Sequence, residues 1–270
     1  MSVKPILFST EMVQAILDGR KTVTRRVIKD NVPLNDWKFH ELHDNRDGAI
    51  TCGKNKLCAG FYTDDHIFYI DGEKRIDAHY YAAPYRHGDI LYVREGAEIT
   101  GYGVYSLEDD DGGGYVDCRF FDGEKMRFKI PENEYQRIIC KYNSVQKEPY
   151  STPKFSPYWL TKHEVRIWLK VRDVRVERLQ EITEEQTEEE GFTFTPPCLR
   201  QVSEDSYCDL DGPCTSKVKY CDMSSGELFG KVLWDSTIQK QDNDNYGWDA
   251  NPWVWVIQFE RCEKPEEDKT

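Results

Sequence analysis

The sequence predicts an α+β fold: one domain built on a small curled β-sheet, with flanking helices and loop-rich insertions. Three observations carry that reading. Short strand-forming segments lie near both ends of the chain, and a helical segment with one apolar face separates the first two. The longest alternating run, Glu164 to Leu179, changes parity in its middle. Val165, Ile167, Leu169 and Val171 alternate, and the apolar positions then become Val174 and Val176 across Arg172-Asp173. Strand side chains alternate with period two, so the switch predicts a bulge or tight turn of the kind that curls a sheet towards a barrel.

Taken in order, Pro5 to Ser9 reads as a short strand and Thr10 to Asp18 as a helix with Met12, Val13, Ile16 and Leu17 on one face. Ser9 or Thr10 suits its N-cap, and Gly19 suits the left-handed position past its end. Thr22 to Ile28 reads as a strand. Residues 29–85 read as irregular, except for a hairpin formed by Ile67-Phe68-Tyr69-Ile70 ahead of Asp71-Gly72. His87-Gly88-Asp89 marks the turn into the strand Ile90 to Glu95. Residues 106–114 read as an acidic loop tip, and Phe120 to Ile130 as a hairpin around Asp122-Gly123. Thr183-Glu184-Glu185-Gln186 is a capping box that opens a short helix through Glu190, closed by Gly191. Residues 195–222 read as a loop, Gly226 to Ile238 as a helix, Trp253 to Phe259 as a last strand and 263–270 as a disordered tail. No linker divides the chain, so residues 1–262 are expected to form one domain with insertions at about 29–85, 96–160 and 195–222.

Composition narrows the partners. The aromatic share of 13% within an apolar fraction of 39% predicts an aromatic-heavy core. Acids outnumber bases 49 to 36, a net charge of −13, which excludes broad affinity for duplex nucleic acid. A small nucleoside, or single-stranded RNA met by a local basic patch, fits better. No apolar run suits a signal peptide or a membrane span. Nine irregularly spaced cysteines are read as reduced thiols, and the protein is expected in the cytoplasm.

Gly19 to Arg26 places four cations and two hydroxyls within eight residues, among strand formers. Lys21 sits among Arg20, Arg25 and Arg26, and neighbouring cations favour a neutral amine. A neutral lysine is the base that Thr24 needs to act as a nucleophile. On an ideal strand the two side chains face opposite ways, and they converge only if Lys21 lies in the turn after Gly19. The alternative reading makes Thr24 an ordinary strand threonine.

Glu190 closes an acidic run at the negative pole of a helix, where a carboxylate seeks a proton or a cation. It is therefore read either as an acid, base or partner of Lys21, or as part of a solvated face. Arg20, Arg25 and Arg26, together with Arg94-Glu95 at the end of an apolar strand, are read as substrate-binding residues that line a pocket. Cys198, Cys208, Cys214 and Cys221 could offer four thiolates to zinc but lack the Cys-x2-Cys knuckle. No metal and no cofactor is expected.

Gly19-x-Lys21-x-x-Thr24-x-Arg26 after an amphipathic helix resembles the signature of the ASCH domain, a branch of the PUA-like superfamily. Gly88 to Val93, Val174 to Leu179 with the Thr183 capping box, and Trp253 to Glu260 resemble later landmarks of that fold. Lys4 to Phe8, Tyr92 to Glu95, Arg175 to Leu179, Leu233 to Ser236 and Asn251 to Trp255 are similar to bacteriophage and prophage ASCH proteins. The resemblance implies a small β-barrel with a cleft for a nucleobase or a stretch of RNA, in a bacterial host or phage-infected cell. The motif is also similar to that of bacterial N4-acetylcytidine amidohydrolases, a much shorter family without the insertions. That similarity implies catalytic roles for Lys21, Thr24 and Glu190, and a cationic neighbour such as Arg26 at the oxyanion. The expected function is thus hydrolysis of an N-acylated nucleoside, or binding of RNA or a modified base without chemistry.

Overall fold

In the computed structural model the described residues are 2–29, 36–46, 52, 54–104, 113–145, 154–155, 160–193 and 223–265. Their first strands are β1 (Val3–Leu7), β2 (Val23–Val27), β3 (Lys38–Asn45), β4 (Lys56–Tyr62), β5 (Ile67–Ile70), β6 (Glu73–Ile76) and β7 (His79–Ala82). Next come β8 (Ile90–Arg94), β9 (Ala97–Val104), β10 (Gly114–Phe120), β11 (Lys125–Ile130), β12 (Lys154–Phe155), β13 (Trp168–Arg178) and β14 (Trp253–Cys262). Helices include α1 (Thr10–Leu17), α2 (Glu132–Val145), α3 (Glu184–Glu189) and α4 (Ser225–Leu228). This is a mixed α+β fold, rich in sheet. Two compact units form, one from Met1–Gly19, Gly88–Val171 and Phe259–Thr270, the other from Arg20–His87 and Arg172–Gln258. In neither unit do the described strands close into a barrel.

In the first unit β1 runs parallel to β8, and β8 pairs antiparallel with the start of β13. The buried Asp89 carboxylate anchors the turn before β8, accepting from Ser2 Oγ at 2.7 Å and Lys4 Nζ at 2.8 Å. Such pairing makes a buried carboxylate tolerable. Ser9 caps α1 by accepting from Met12 N, and Gly19 follows the helix at φ +77°. A second sheet, ordered β11-β10-β9-β12, packs Ile99, Val116, Cys118, Phe120 and Ile130 into one core. Its β10–β11 hairpin turns at Gly123, as the sequence predicts. Helix α2 lies in a stretch expected to be part of a loop-rich insertion, although Tyr135, Ile138, Ile139 and Tyr142 recur at helical spacing. Gly114 admits the Tyr135 ring of this helix, where a Cβ would collide.

Strand β13 carries the predicted parity switch. Leu169 and Val171 are buried, Arg172 and Asp173 are both exposed, and Val174 is buried again. The division between the units falls at that point.

In the second unit β2 pairs antiparallel with β14, setting Thr24 opposite Ile257, Arg25 opposite Val256 and Arg26 opposite Trp255. Alternation gives the pair two distinct faces. Val23, Arg25 and Val27 share one with Val254 and Val256, and the apolar members pack with Leu179, Ile182, Phe229, Trp234 and Trp248. Part of the helix expected at 226–238 is π-helical, Phe229–Trp234. Gly230 lies in this segment against Trp248, with no room for a Cβ.

Thr24 and Arg26 share the other face with Trp255 and, two residues before it, Trp253. The Trp253 ring lies 5.4 Å from Phe61 and 6.0 Å from Phe39, which belong to a three-stranded sheet, β3-β4-β7. That sheet corrects the irregular reading of residues 29–85. A register shift between Phe39 and Glu41 breaks the period of β3 and hides it in the sequence. The β5–β6 hairpin is the predicted one, with Asp71 and Gly72 both at positive φ as a type I′ turn needs. Cys52 and Cys58 form a disulfide across a Cα separation of 6.5 Å, so these two are not the free thiols expected. Most of the expected acidic loop tip at 106–114, of the cysteine loop at 195–222 and of the tail at 263–270 lies outside the described residues. Cys198, Cys208, Cys214 and Cys221 are among the residues left outside.

Candidate functional site

Gly19 ends α1 and turns the chain so that Lys21 precedes β2 instead of belonging to it. Lys21 forms an isolated antiparallel bridge with Glu190, and Thr22 N donates to Glu189 O at 2.8 Å. Lys21 Nζ donates to Glu190 Oε2 at 2.6 Å, Glu190 O at 2.9 Å and Val23 O at 2.8 Å. An ammonium has three protons, and each has an acceptor here. The Lys21 and Glu190 side chains are 0% and 4% exposed. Burial lowers the Lys21 pKa and is the largest influence; Glu190 opposes it, while Arg26 and Arg25 reinforce it.

Glu190 is held in place by the helix it closes. In the capping box of α3, Thr183 Oγ1 accepts from Gln186 N at 3.3 Å and Gln186 Oε1 accepts from Thr183 N at 3.1 Å. Gly191, at φ +72°, ends the helix. Within the acidic run Glu188 is exposed and Glu190 is buried. The second Glu190 oxygen accepts from Arg25 Nη1 at 3.2 Å. Arg25 Nη2 donates to Gln186 Oε1 at 2.7 Å and to Glu177 Oε2 at 3.2 Å. Arg25, read from the sequence as a ligand-binding cation, thus directs its guanidinium at protein acceptors and fixes Glu190.

Thr24, 1% exposed, and Arg26 lie on the other face of β2. Arg26 Nη1 donates to Thr24 Oγ1 and to Arg25 O, each at 3.0 Å. Burial pushes the Arg26 guanidinium below its ordinary value, with Glu190 and then Tyr85 opposing. Arg26 therefore feels the field of Glu190 while touching Thr24. It also borders a pocket of about 400 Å³, walled by Lys29, Tyr81, Pro84, Tyr85 and Trp255. The pocket combines apolar rings with cations, the surfaces a planar heteroaromatic ligand stacks on.

The remaining expected residues are placed differently. Arg20 is exposed and donates to Gly191 O at 3.2 Å. Arg94 and Glu95 belong to the first unit. Arg94 Nη2 donates to Tyr92 Oη at 3.2 Å. Both Glu95 oxygens accept from Arg166, at 2.9 and 2.8 Å, and Arg166 also donates to Asp122 at 2.5 Å. Burial pushes the Glu95 carboxyl up, and Arg166 opposes it. Glu95 is thus committed to an ion cluster of its own.

Sequence reasoning did not single out Lys29, Tyr81, Tyr85 or Trp255. The one available signal was Tyr80-Tyr81-Ala82-Ala83-Pro84-Tyr85, an aromatic cluster in a stretch read as irregular. A larger cavity of about 700 Å³ in the same unit is lined by Glu184, Glu227, Lys231 and Asp249, and none of residues 20–26 lines it. Among the described residues no group of His, Cys, Asp and Glu could hold a metal ion, and no helix is long and apolar enough to cross a membrane. Compared with known proteins, the chain matches no family model, no curated protein and no solved structure.

Proposed function

We propose that the second unit carries an ASCH-like site, on a curled PUA-like sheet, that hydrolyses an N-acyl amide on a modified nucleoside. The observation that carries this reading is the position of Arg26, which touches Thr24 at 3.0 Å, feels the charge of Glu190 and borders the aromatic pocket. In this reading the nucleobase stacks against Tyr81, Tyr85 or Trp255, with its acyl group towards Thr24. Burial lowers the Lys21 pKa, and the neutral amine is the form that can accept a proton. That amine takes the Thr24 proton as Oγ1 attacks the acyl carbon. Arg26 stabilises the resulting oxyanion. The C–N bond then breaks as the proton taken from Thr24 is relayed from Lys21 through Glu190 to the leaving amine, and water hydrolyses the acyl-threonine ester to free acid and Thr24.

Hydrolysis of N4-acetylcytidine and related N-acyl nucleosides by the wild type, Thr24→Ala and Lys21→Ala tests this. The expected result is turnover that both substitutions abolish. Absence of turnover, or turnover indifferent to both, sinks the proposal.

A second reading is favoured by one feature: all three Lys21 protons already have protein acceptors, as in a purely structural ammonium. Under it the pocket holds a modified base or single-stranded RNA and changes nothing. Titration with single-stranded RNA at two salt concentrations discriminates, because salt-sensitive binding without turnover supports this reading.

A further inference from the structure

We infer that the pocket beside Thr24 takes a phosphate-bearing ligand, a nucleotide in preference to a neutral nucleoside. This rests on the nucleobase reading of the same pocket and adds the identity of the ligand's charged end. Among the described residues the lining contains two cations, Arg26 and Lys29, and no carboxylate, on a chain whose net charge is −13. A surface drawn at random from such a chain would carry more acids than bases, so the composition of this wall calls for an anionic ligand.

The two cations are not equivalent. Arg26 is tied to Thr24 Oγ1 and to Arg25 O, and its charge is offset by nearby Glu190. It links the pocket wall to Thr24. Lys29 follows the end of β2, five residues past Thr24, about 16 Å at the rise of an extended strand. Its side chain is 60% exposed, and its Nζ lies 3.6 Å from Asp242 Oδ2, beyond ordinary hydrogen-bond reach. So loose and solvated a pair contributes little and yields readily to a better acceptor. A phosphate oxygen is such an acceptor, and a lysine on a flexible stem binds it as a mobile point charge. The wall thus offers one tied cation, Arg26, one loosely held cation, Lys29, and the rings of Tyr81, Tyr85 and Trp255. A nucleotide carries the matching groups, a planar base for the rings and a phosphate for the loosely held cation.

The test is calorimetric titration of the whole protein with cytidine, cytidine 5′-monophosphate and inorganic phosphate, for the wild type, Lys29→Gln, Lys29→Glu and Tyr85→Ala. Circular dichroism melts confirm that each variant folds. The monophosphate is expected to bind about tenfold more tightly than cytidine, the scale of one charge-assisted hydrogen bond. Added salt should narrow that gap, Lys29→Gln should close it, and Lys29→Glu should reverse it. Equal affinities for the two ligands, or a phosphate preference that survives both Lys29 substitutions, overturns the inference. If both ligands bind equally and both need Tyr85, the nucleobase reading stands and only the phosphate inference falls. If neither binds, both fall. A 5′-phosphorylated trinucleotide assigns the source: binding as tight as the mononucleotide admits a strand terminus, and exclusion restricts the pocket to free nucleotides.

Discussion

Arg26 stands directly opposite Trp255 in the β2–β14 ladder, and both side chains border the same pocket. The guanidinium and the indole are thus set by strand register, not by a loop. Arg26→Lys keeps the charge but loses the planar fork that can touch Thr24 and a ligand together. Ligand affinity, or turnover where it occurs, should fall at least tenfold in Arg26→Lys with little change in melting temperature. An Arg26→Lys protein indistinguishable from wild type would remove Arg26 from the site. Trp255→Ala, at 3% exposure, should instead reduce stability by about 3–5 kcal/mol, read from denaturant unfolding.

Glu190→Gln removes a buried charge that faces both Lys21 and Arg25. Breaking one partner of a buried pair typically destabilises by about 3–5 kcal/mol, because the other charge stays buried. The double variant Lys21→Met, Glu190→Leu should recover part of that loss, since neither charge remains. Urea unfolding of the single and double variants checks it; a double variant no more stable than Glu190→Gln contradicts the account.

The Lys21 pKa lies below 10.5 in the folded chain, chiefly through burial. Between the folded and unfolded values the unfolded chain holds the proton and the folded one does not, so unfolding takes a proton up. Stability relative to Lys21→Met therefore rises with pH across that interval and is lost as pH falls through the folded value. Guanidinium unfolding of both proteins at a series of pH values reads the difference directly. A difference that falls with rising pH would mean that Glu190, not burial, dominates.

In the first unit Arg166→Met strips Glu95 and Asp122 of their shared cation. The Glu95 carboxyl, already pushed up by burial, should rise further once Arg166 no longer opposes that burial. The variant should therefore be less stable than wild type at neutral pH and recover part of the difference as the solution is acidified and Glu95 is neutralised. Thermal melts across that range decide it, and a deficit that grows with acid counts against the assignment.

Burial pushes the Cys118 thiol up to about 12, with Glu164 and Asp117 adding to the shift. Cys140 is exposed. Iodoacetamide at mildly alkaline pH, followed by peptide mass mapping, should label Cys140 in the native protein and Cys118 only in denaturant. Native labelling of Cys118 at a comparable rate would contradict its burial.

The local devices were legible in the sequence because each depends on residues within one turn of one another. Ser9, Gly19, Asp71-Gly72 and the Thr183–Gln186 box all stand where their chemistry puts them. The parity change at Arg172-Asp173 was legible for the same reason. Pairing was not. Nothing near Trp255 in the sequence says that it faces Arg26, and nothing near Tyr85 says that it walls a pocket, because both facts come from strands paired far along the chain. The β3 strand was hidden by its own irregular register, whereas α2 carries a legible helical period in Tyr135, Ile138, Ile139 and Tyr142. Arg25 was misread for a related reason: its partners Glu177, Gln186 and Glu190 are distant, and a cation without visible partners looks free for a ligand.

Lys21 and Glu190 are 169 positions apart in the chain. During synthesis the N-terminal helix, the turn at Gly19 and the first strand all emerge long before the carboxylate that Lys21 requires. Until then the amine remains in water, fully charged, and no intermediate assembled from the first half of the chain can contain the site. Its appearance is therefore a late event set by long-range closure rather than by local helix formation. A hydrogen-exchange pulse during refolding should find the Thr22 amide, which donates to Glu189 O, protected in the slowest phase.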